Sequence, residues 1–246
     1  MTNWDQLETR LNDLLKLRVP PLAVVLLEKV ADIPGNVWVP EKQYTFCQLT
    51  AFARFDQRIV AGTIDNSACA YAKANLGLTD WPKELLSGRQ PWVWTRNPED
   101  TIKNVKGLTK IKQTFQAVLV SPLRKSLLQP DVVMVIGNSA QMMRLLNAYT
   151  WITGGFIYSK NAGHCGVCSA GVATPYQRGK PHLAIPCSGA RTWGRYTDDE
   201  IIFGIPGDMI EEITIALEEM KETGEGYPIS PQIKSPPREM SKDKRP

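Results

Sequence analysis

Apolar positions along the chain alternate between helical spacing and short continuous runs. Trp4, Leu7, Leu11, Leu14 and Leu15 recur at spacings of three and four, which puts them on one face of a helix over residues 3–17. Thr2 and Asp5 suit a capping pair at its start, and Pro20 and Pro21 close it. "LAVVLLE" (22–28) is short, apolar and valine-rich, so it reads as a buried strand. "TFCQLTAFARF" (45–55) suits a helix capped by Thr45, and "RIVAGTI" (58–64) suits a strand. "DNSACAYAKANLGL" (65–78) opens on capping residues and stops at Gly77, which predicts a third helix. Residues 79–100 are rich in Trp and Pro and read as an ordered loop, with a short helix near 98–105. Strands are expected at 115–123 and 131–138, and the clearest helix at 139–155. There Ser139 caps, Gly154 follows, and Met142, Leu145, Leu146, Tyr149 and Ile152 form the stripe. "FIYSK" (156–160), 182–189 and 200–206 complete the strands, and 207–224 is a last helix with Asp208 at its start.

At least seven strands interspersed with helices, without a long helix between each pair, predict an α+β fold: a mixed sheet with flanking helices in one compact domain, residues 1–224. A faint echo relates two halves, about 1–110 and 111–224, but its spacings match poorly. Residues 225–246 are Pro-, Lys- and Glu-rich with little apolar content, and a mobile C-terminal tail is expected.

Composition narrows the function classes. With 43% hydrophobic and 22% charged residues the chain falls in the ordinary globular range. Its net charge of +4 lies partly in "KDKRP", far from the basic stripe a nucleic-acid binder presents. No run approaches the ~18 apolar residues of a membrane span, and the N-terminus lacks the pattern of a secretion signal. A cytoplasmic protein with no nucleic-acid or membrane partner is expected, acting on a small molecule or a redox partner. In that compartment its five cysteines are reduced thiols or ligands rather than structural disulfides.

Those cysteines carry the candidate chemistry. Cys47 and Cys69 fall near helix starts, Cys165 and Cys168 form a C-x-x-C in "NAGHCGVCSAG", and Cys187 ends a strand before "SGAR". Helix N-termini favour the thiolate, the form that ligates metal or attacks electrophiles. A buried cysteine can equally be a small hydrophobe. Structural zinc usually shows two C-x-x-C pairs and only one is present, whereas an iron–sulfur cluster needs only four thiolates that meet in space. Zinc is therefore the alternative metal, and a dithiol redox pair of Cys165 and Cys168 the alternative chemistry. A third reading is a non-catalytic small-molecule binder with structural cysteines.

Arg191, in a glycine-rich loop, is the candidate for binding a carboxylate or phosphate, unless it pairs with Asp198 or Asp199 to pin that loop. Gln141, Asn147 and Tyr149 are candidates to face a pocket, although Tyr149 lies on the apolar stripe. The aromatic stretch "WPKELLSGRQPWVW" either lines a ligand site or covers the core, the latter being favoured. His164 and His182 are too few for His-based zinc catalysis, and no phosphate loop, dinucleotide fingerprint or nucleophile elbow occurs.

The chain also resembles a prokaryotic family known as domain of unknown function 169, found in bacteria and archaea, many of them anaerobes. The resemblance runs over about residues 5–220 through "PLAVVLL", "FCQLTAFAR", "NSACAYAKANLGL", "PDVVMVIGNSAQMMRLLNAYTW", "CSAGVATPYQRGKPHLAIPCSGAR" and "DDEIIFGIP". It implies a four-cysteine set of Cys47, Cys69, Cys168 and Cys187, with Cys165 as an extra ligand. It supplies no reaction. The family's last block usually reads Cys-x-Gly-Asp-Arg, and Ala190 stands here in place of the aspartate, so no role of that acid carries over.

Overall fold

The valine-rich runs pair into a single sheet. A computed structural model describes residues 3–87 and 94–228. Strands β1 (Leu22–Leu27), β2 (Val60–Thr63), β3 (Ala117–Pro122), β4 (Val132–Gly137), β5 (His182–Ala184) and β6 (Ile201–Pro206) lie in the order β2-β3-β1-β4-β6-β5. The class is α+β as expected, but the strand pairs are antiparallel throughout rather than mixed. The sheet also interleaves the two faintly related halves, because β3 pairs with both β2 and β1.

Alternation explains why these strands read as continuous apolar runs. Leu22, Val24 and Leu26 face one core and Ala23 the opposite one; Met134 and Ile136 oppose Val133 and Val135, and Ile202 opposes Phe203 and Ile205. Both faces are covered, so neither row is polar. One layer consists of α1 (Trp4–Leu15), α6 (Ser139–Thr153) and α9 (Ile210–Glu222). Arg10 of α1 clamps Glu218 of α9 through both carboxylate oxygens, at 2.7 and 2.6 Å. The other layer carries α2 (Phe46–Phe55), α3 (Ala70–Asn75) and a π-helix (Gly166–Ala173). Short helices α4 (Lys83–Leu86), α5 (Pro98–Gly107), α7 (Thr174–Arg178) and α8 (Ser188–Gly194) complete the described chain.

Boundaries shift where side chains compete for the backbone. Asn3 caps α1, accepting from Gln6 N–H at 3.1 Å, and Thr2 lies outside the described residues. Thr45 caps α2 as expected, in a reciprocal box with Gln48. Asn138 rather than Ser139 caps α6, in a box with Gln141. Gln141 then donates to Leu15 O at 2.8 Å and Lys16 O at 3.1 Å, and Tyr149 is packed, so two of the three pocket candidates on this helix are structural. The third helix begins only at Ala70, because Asn66 folds back on Thr63 N–H at 2.7 Å and holds residues 63–66 in a turn.

The "FIYSK" segment is not a strand. Its contacts to β5 run through side chains: Ser159 Oγ accepts from Leu183 N–H, and the Asn161 amide bridges Leu183 O and Ile185 N–H. Its Phe156 and Tyr158 are exposed, and only Ile157 packs against the core. His182 Nε2 accepts from Lys160 N–H at 3.0 Å, and burial, with Arg178 nearby, holds this imidazole below its usual range and therefore neutral. The unfolded chain binds that proton more readily, so this share of stability is present above about 6.5 and is lost as pH falls through the folded value. Amide exchange at Lys160 is expected to accelerate on mild acidification beyond the intrinsic pH trend. Protection that stays constant would remove this role for His182.

Of the expected tail, residues 229–246 lie outside the described residues, as do 88–93 of the aromatic stretch. Glu225 and Tyr227 return onto α6, within 3.5 Å of Arg144 and 3.4 Å of Asn138.

Candidate functional site: a buried cysteine cluster

All five thiols lie in or against the core on one side of the sheet. They arrive on separate supports. Cys47 is in the first turn of α2, Cys69 is the N-cap of α3, Cys165 is the N-cap of the π-helix, Cys168 lies within it, and Cys187 is the N-cap of α8. The Cys47 and Cys187 side chains pair with each other, as do those of Cys165 and Cys168. Cys69 is close enough to feel the charge of Cys168 and Cys187. Four segments far apart in sequence thus bring their thiols within electrostatic reach of one another on one side of the sheet.

The π-helix is what makes this close approach feasible. Such turns are rare and gather at functional sites. Cys165 enters it with a left-handed backbone (φ 53°), uncommon for a residue with a side chain. Its carbonyl accepts from both Ser169 N–H (3.0 Å) and Ala170 N–H (3.2 Å). Gly166 follows because a Cβ there would stand 2.0 Å from Ile185 O and 3.1 Å from Cys187 N. The strand leading to Cys187 crosses directly over this glycine.

The electrostatics single out one sulfur. Cys47 leans its S–H on Cys187, and the N–H groups of Gly166, Ala190 and Gly189 point their partial positive charge at the same atom, lowering the Cys187 pKa to about 5 although burial opposes it. Cys187 is thus the thiolate of the pair, and Cys47 keeps its proton, its own pKa raised by Cys187 and by burial. Burial and the neighbouring sulfurs raise Cys69 to about 11. Cys165 is likewise raised, by Cys168 and by burial. Without an added positive charge, Cys47, Cys69 and Cys165 therefore keep their protons beside the Cys187 thiolate.

Polar groups not anticipated from the sequence face the sulfurs. Fully buried Asn75 donates from Nδ2 to Cys168 Sγ at 3.3 Å, while its Oδ1 has no partner. Buried Tyr71 has an unpartnered hydroxyl, and its pKa responds to burial, Cys165 and Cys69. The one signal available was the i, i+4 spacing of Tyr71 and Asn75, which puts them on one face of the helix that Cys69 opens. His164 Nδ1 lies 3.4 Å from Cys165 Sγ, its Nε2 meets Asn104 Oδ1, and its ring stacks on Trp94 at 4.2 Å. Burial lowers its pKa, so this histidine is neutral.

The strut holding the site is buried and ionic. Arg54 of α2 pairs with Glu200, donates to Gly194 O at 3.3 Å, and lies on the Tyr196 ring at 4.3 Å. A Cβ on Gly194 would stand 3.0 Å from Cys47 Cβ, so α8 presses onto α2 just where Cys47 meets Cys187.

Arg191 stands apart from this site. It donates to Thr197 O at 2.6 Å and to Asp198 Oδ1 at 3.1 Å, the loop-pinning arrangement. Among the described residues, no group of three or more His, Cys, Asp or Glu side chains is arranged to hold one metal ion. None of the described helices is long and apolar enough to cross a membrane.

A family model for domain of unknown function 169, described as "Uncharacterised ArCR", matches residues 10–215. The chain belongs to this family. A relative of the DUF169 protein is the uncharacterised protein MJ0308 of Methanocaldococcus jannaschii, 24% identical over 216 residues, which cover 87% of this chain and 93% of that one. No solved structure matches the DUF169 protein.

Proposed function

We propose that the cysteine cluster holds an iron–sulfur cluster and that the DUF169 protein serves electron transfer or redox chemistry on a small molecule. The observation that supports this reading is that Cys47, Cys69, Cys168 and Cys187, from four separate segments, lie on one side of the sheet within electrostatic reach of one another, with the unpartnered Tyr71 hydroxyl and Asn75 carbonyl oxygen on the helix that Cys69 opens. Four thiolates in a dry pocket repel one another, and a metal centre supplies the positive charge that lets them ionise together. A single zinc ion, with Zn–S bonds of about 2.3 Å, needs its sulfurs tightly gathered. A polynuclear cluster interposes its own iron and sulfide and so accepts thiolates from scattered segments, which is why it is preferred to zinc here. Cys187 is the ready thiolate of the set. Asn75 and Tyr71 are placed to hydrogen-bond sulfur and tune the potential, and Cys165 is the extra or alternate ligand.

Protein purified without oxygen is expected to be brown and to contain iron and acid-labile sulfide in comparable amounts. Colourless protein free of iron and sulfide would end the proposal, and zinc without sulfide would replace it with a zinc site.

A second reading is supported by the Cys165–Cys168 contact: a dithiol that forms a disulfide, passing two electrons and two protons to a disulfide substrate. A Cys168→Ser variant that retained full redox activity would exclude it.

A further inference from the structure

A cavity of about 460 Å³ opens beside the cysteines, lined by α5, residues 160–165 and the π-helix. Cys165 and His164 are part of its wall, and Leu108, Ala162 and Ala170 give it an apolar side. Its size suits a small metabolite rather than a polymer.

Charge in this cavity is one-sided. Lys103 and Lys160 line it against a single carboxylate, Asp100, which already accepts from Asn97 Nδ2 at 2.7 Å. Lys160 Nζ donates to Gly107 O at 3.1 Å and keeps two further N–H donors. Among the described residues, Lys103 takes part in no ion pair. The Asn104 carbonyl is engaged by His164, which leaves its NH₂ group as a donor. The Ser169 hydroxyl donates to Thr109 O and accepts from Thr109 N–H, both at 3.0 Å, and the Thr174 hydroxyl meets Thr109 Oγ1 at 2.8 Å and Ser169 O at 2.9 Å, so these groups are engaged within the wall itself. Arg191, the sequence's candidate anion binder, is not part of this wall, and its fork is engaged by its own loop.

We propose that this cavity binds the anionic end of a small metabolite through Lys103 and Lys160, laying the rest of the molecule against His164 and Cys165. This names a ligand class for the redox site proposed above and rests on that reading only for what happens to the molecule once bound. Both ammonium groups are available, and charge-assisted hydrogen bonds are stronger than neutral ones. A carboxylate and a phosphate present the same chemistry to them.

Calorimetric titration of the anaerobically purified protein with inorganic phosphate and, separately, with succinate tests the proposal. At least one is expected to bind, with affinity falling about tenfold or more in Lys103→Met and in Lys160→Met. Lys106→Met, on the same helix but outside the cavity wall, is expected to leave affinity unchanged. Binding of phosphate alone identifies a phosphoryl end, and binding of succinate alone a carboxylate end. No binding of either at millimolar concentration overturns the proposal, as does equal binding by the lysine variants. Iron and sulfide measured on the same samples separate the two readings: lysine-dependent binding without metal leaves the pocket and removes the cluster, and metal without binding does the reverse.

Discussion

Replacing Glu200 with alanine is expected to lower the unfolding free energy by about 3–5 kcal/mol, because it strands a buried guanidinium. The Arg54 side chain has no exposed surface and the Glu200 side chain is 6% exposed. Arg54 Nε is already without a partner, so the arginine has no spare hydrogen bonding to fall back on. Glu200 also accepts from Thr197 N–H at 2.9 Å, so the loop after α8 loosens with it. The loss reaches the candidate site because this pair ties α2, which carries Cys47, to the segment carrying Cys187. Urea unfolding of metal-free protein gives the stability change, and the iron content of the same variant gives the consequence for the site. A loss below about 1 kcal/mol, in the range of an exposed pair, would show that the strut is not needed.

Gly166→Ala is expected to have the second largest effect. Its new Cβ would meet Ile185 O at 2.0 Å, and this obstacle is backbone, so the two segments must part. Overpacking of this kind costs about 1–3 kcal/mol or more. The informative change is chemical. Parting the segments withdraws the Gly166 N–H from Cys187, whose pKa of about 5 depends on Cys47 first and then on three backbone N–H groups. In metal-free wild-type protein, alkylation of Cys187 is expected to stay fast down to about that pH and to fall below it, because the thiolate is the nucleophile. In Gly166→Ala the midpoint moves upward, toward the unperturbed value near 8.5. Peptide mapping of the alkylated cysteine against pH reads this directly, and an unmoved midpoint would remove Gly166 from the electrostatic account.

Legibility of the fold tracked the strength of local signals. The valine-rich strands and the capped helices α2 and α6 are readable because their periodicity and capping residues agree with the packing. The "FIYSK" segment misleads because β propensity is a statement about a half-buried surface, and this segment's two aromatic side chains stay in solvent. The π-helix has no propensity signature at all: "GVCSAG" is a string of small residues whose hydrogen-bond pattern is decided by how closely the backbone of residues 185–187 and β6 press on it. At the site, the cysteines were visible as residue types near element ends. Their company was not, since Tyr71, Asn75 and the Arg54–Glu200 pair look like ordinary helix and loop residues until the sheet order brings them together.

That sheet order has a consequence for the life of the protein. β6 inserts between β4 and β5, so the last strand made fills a gap in the interior of the sheet. The chain that leaves the ribosome first already carries Cys47 and Cys69, but the surface that seats Cys187 exists only after residues beyond it have been synthesised and β6 has gone home. Any cofactor destined for the five sulfurs meets an unfinished container during synthesis. Such a cofactor would find its full set of ligands only once β6 has joined the sheet, and a product truncated before residue 187 lacks one of them.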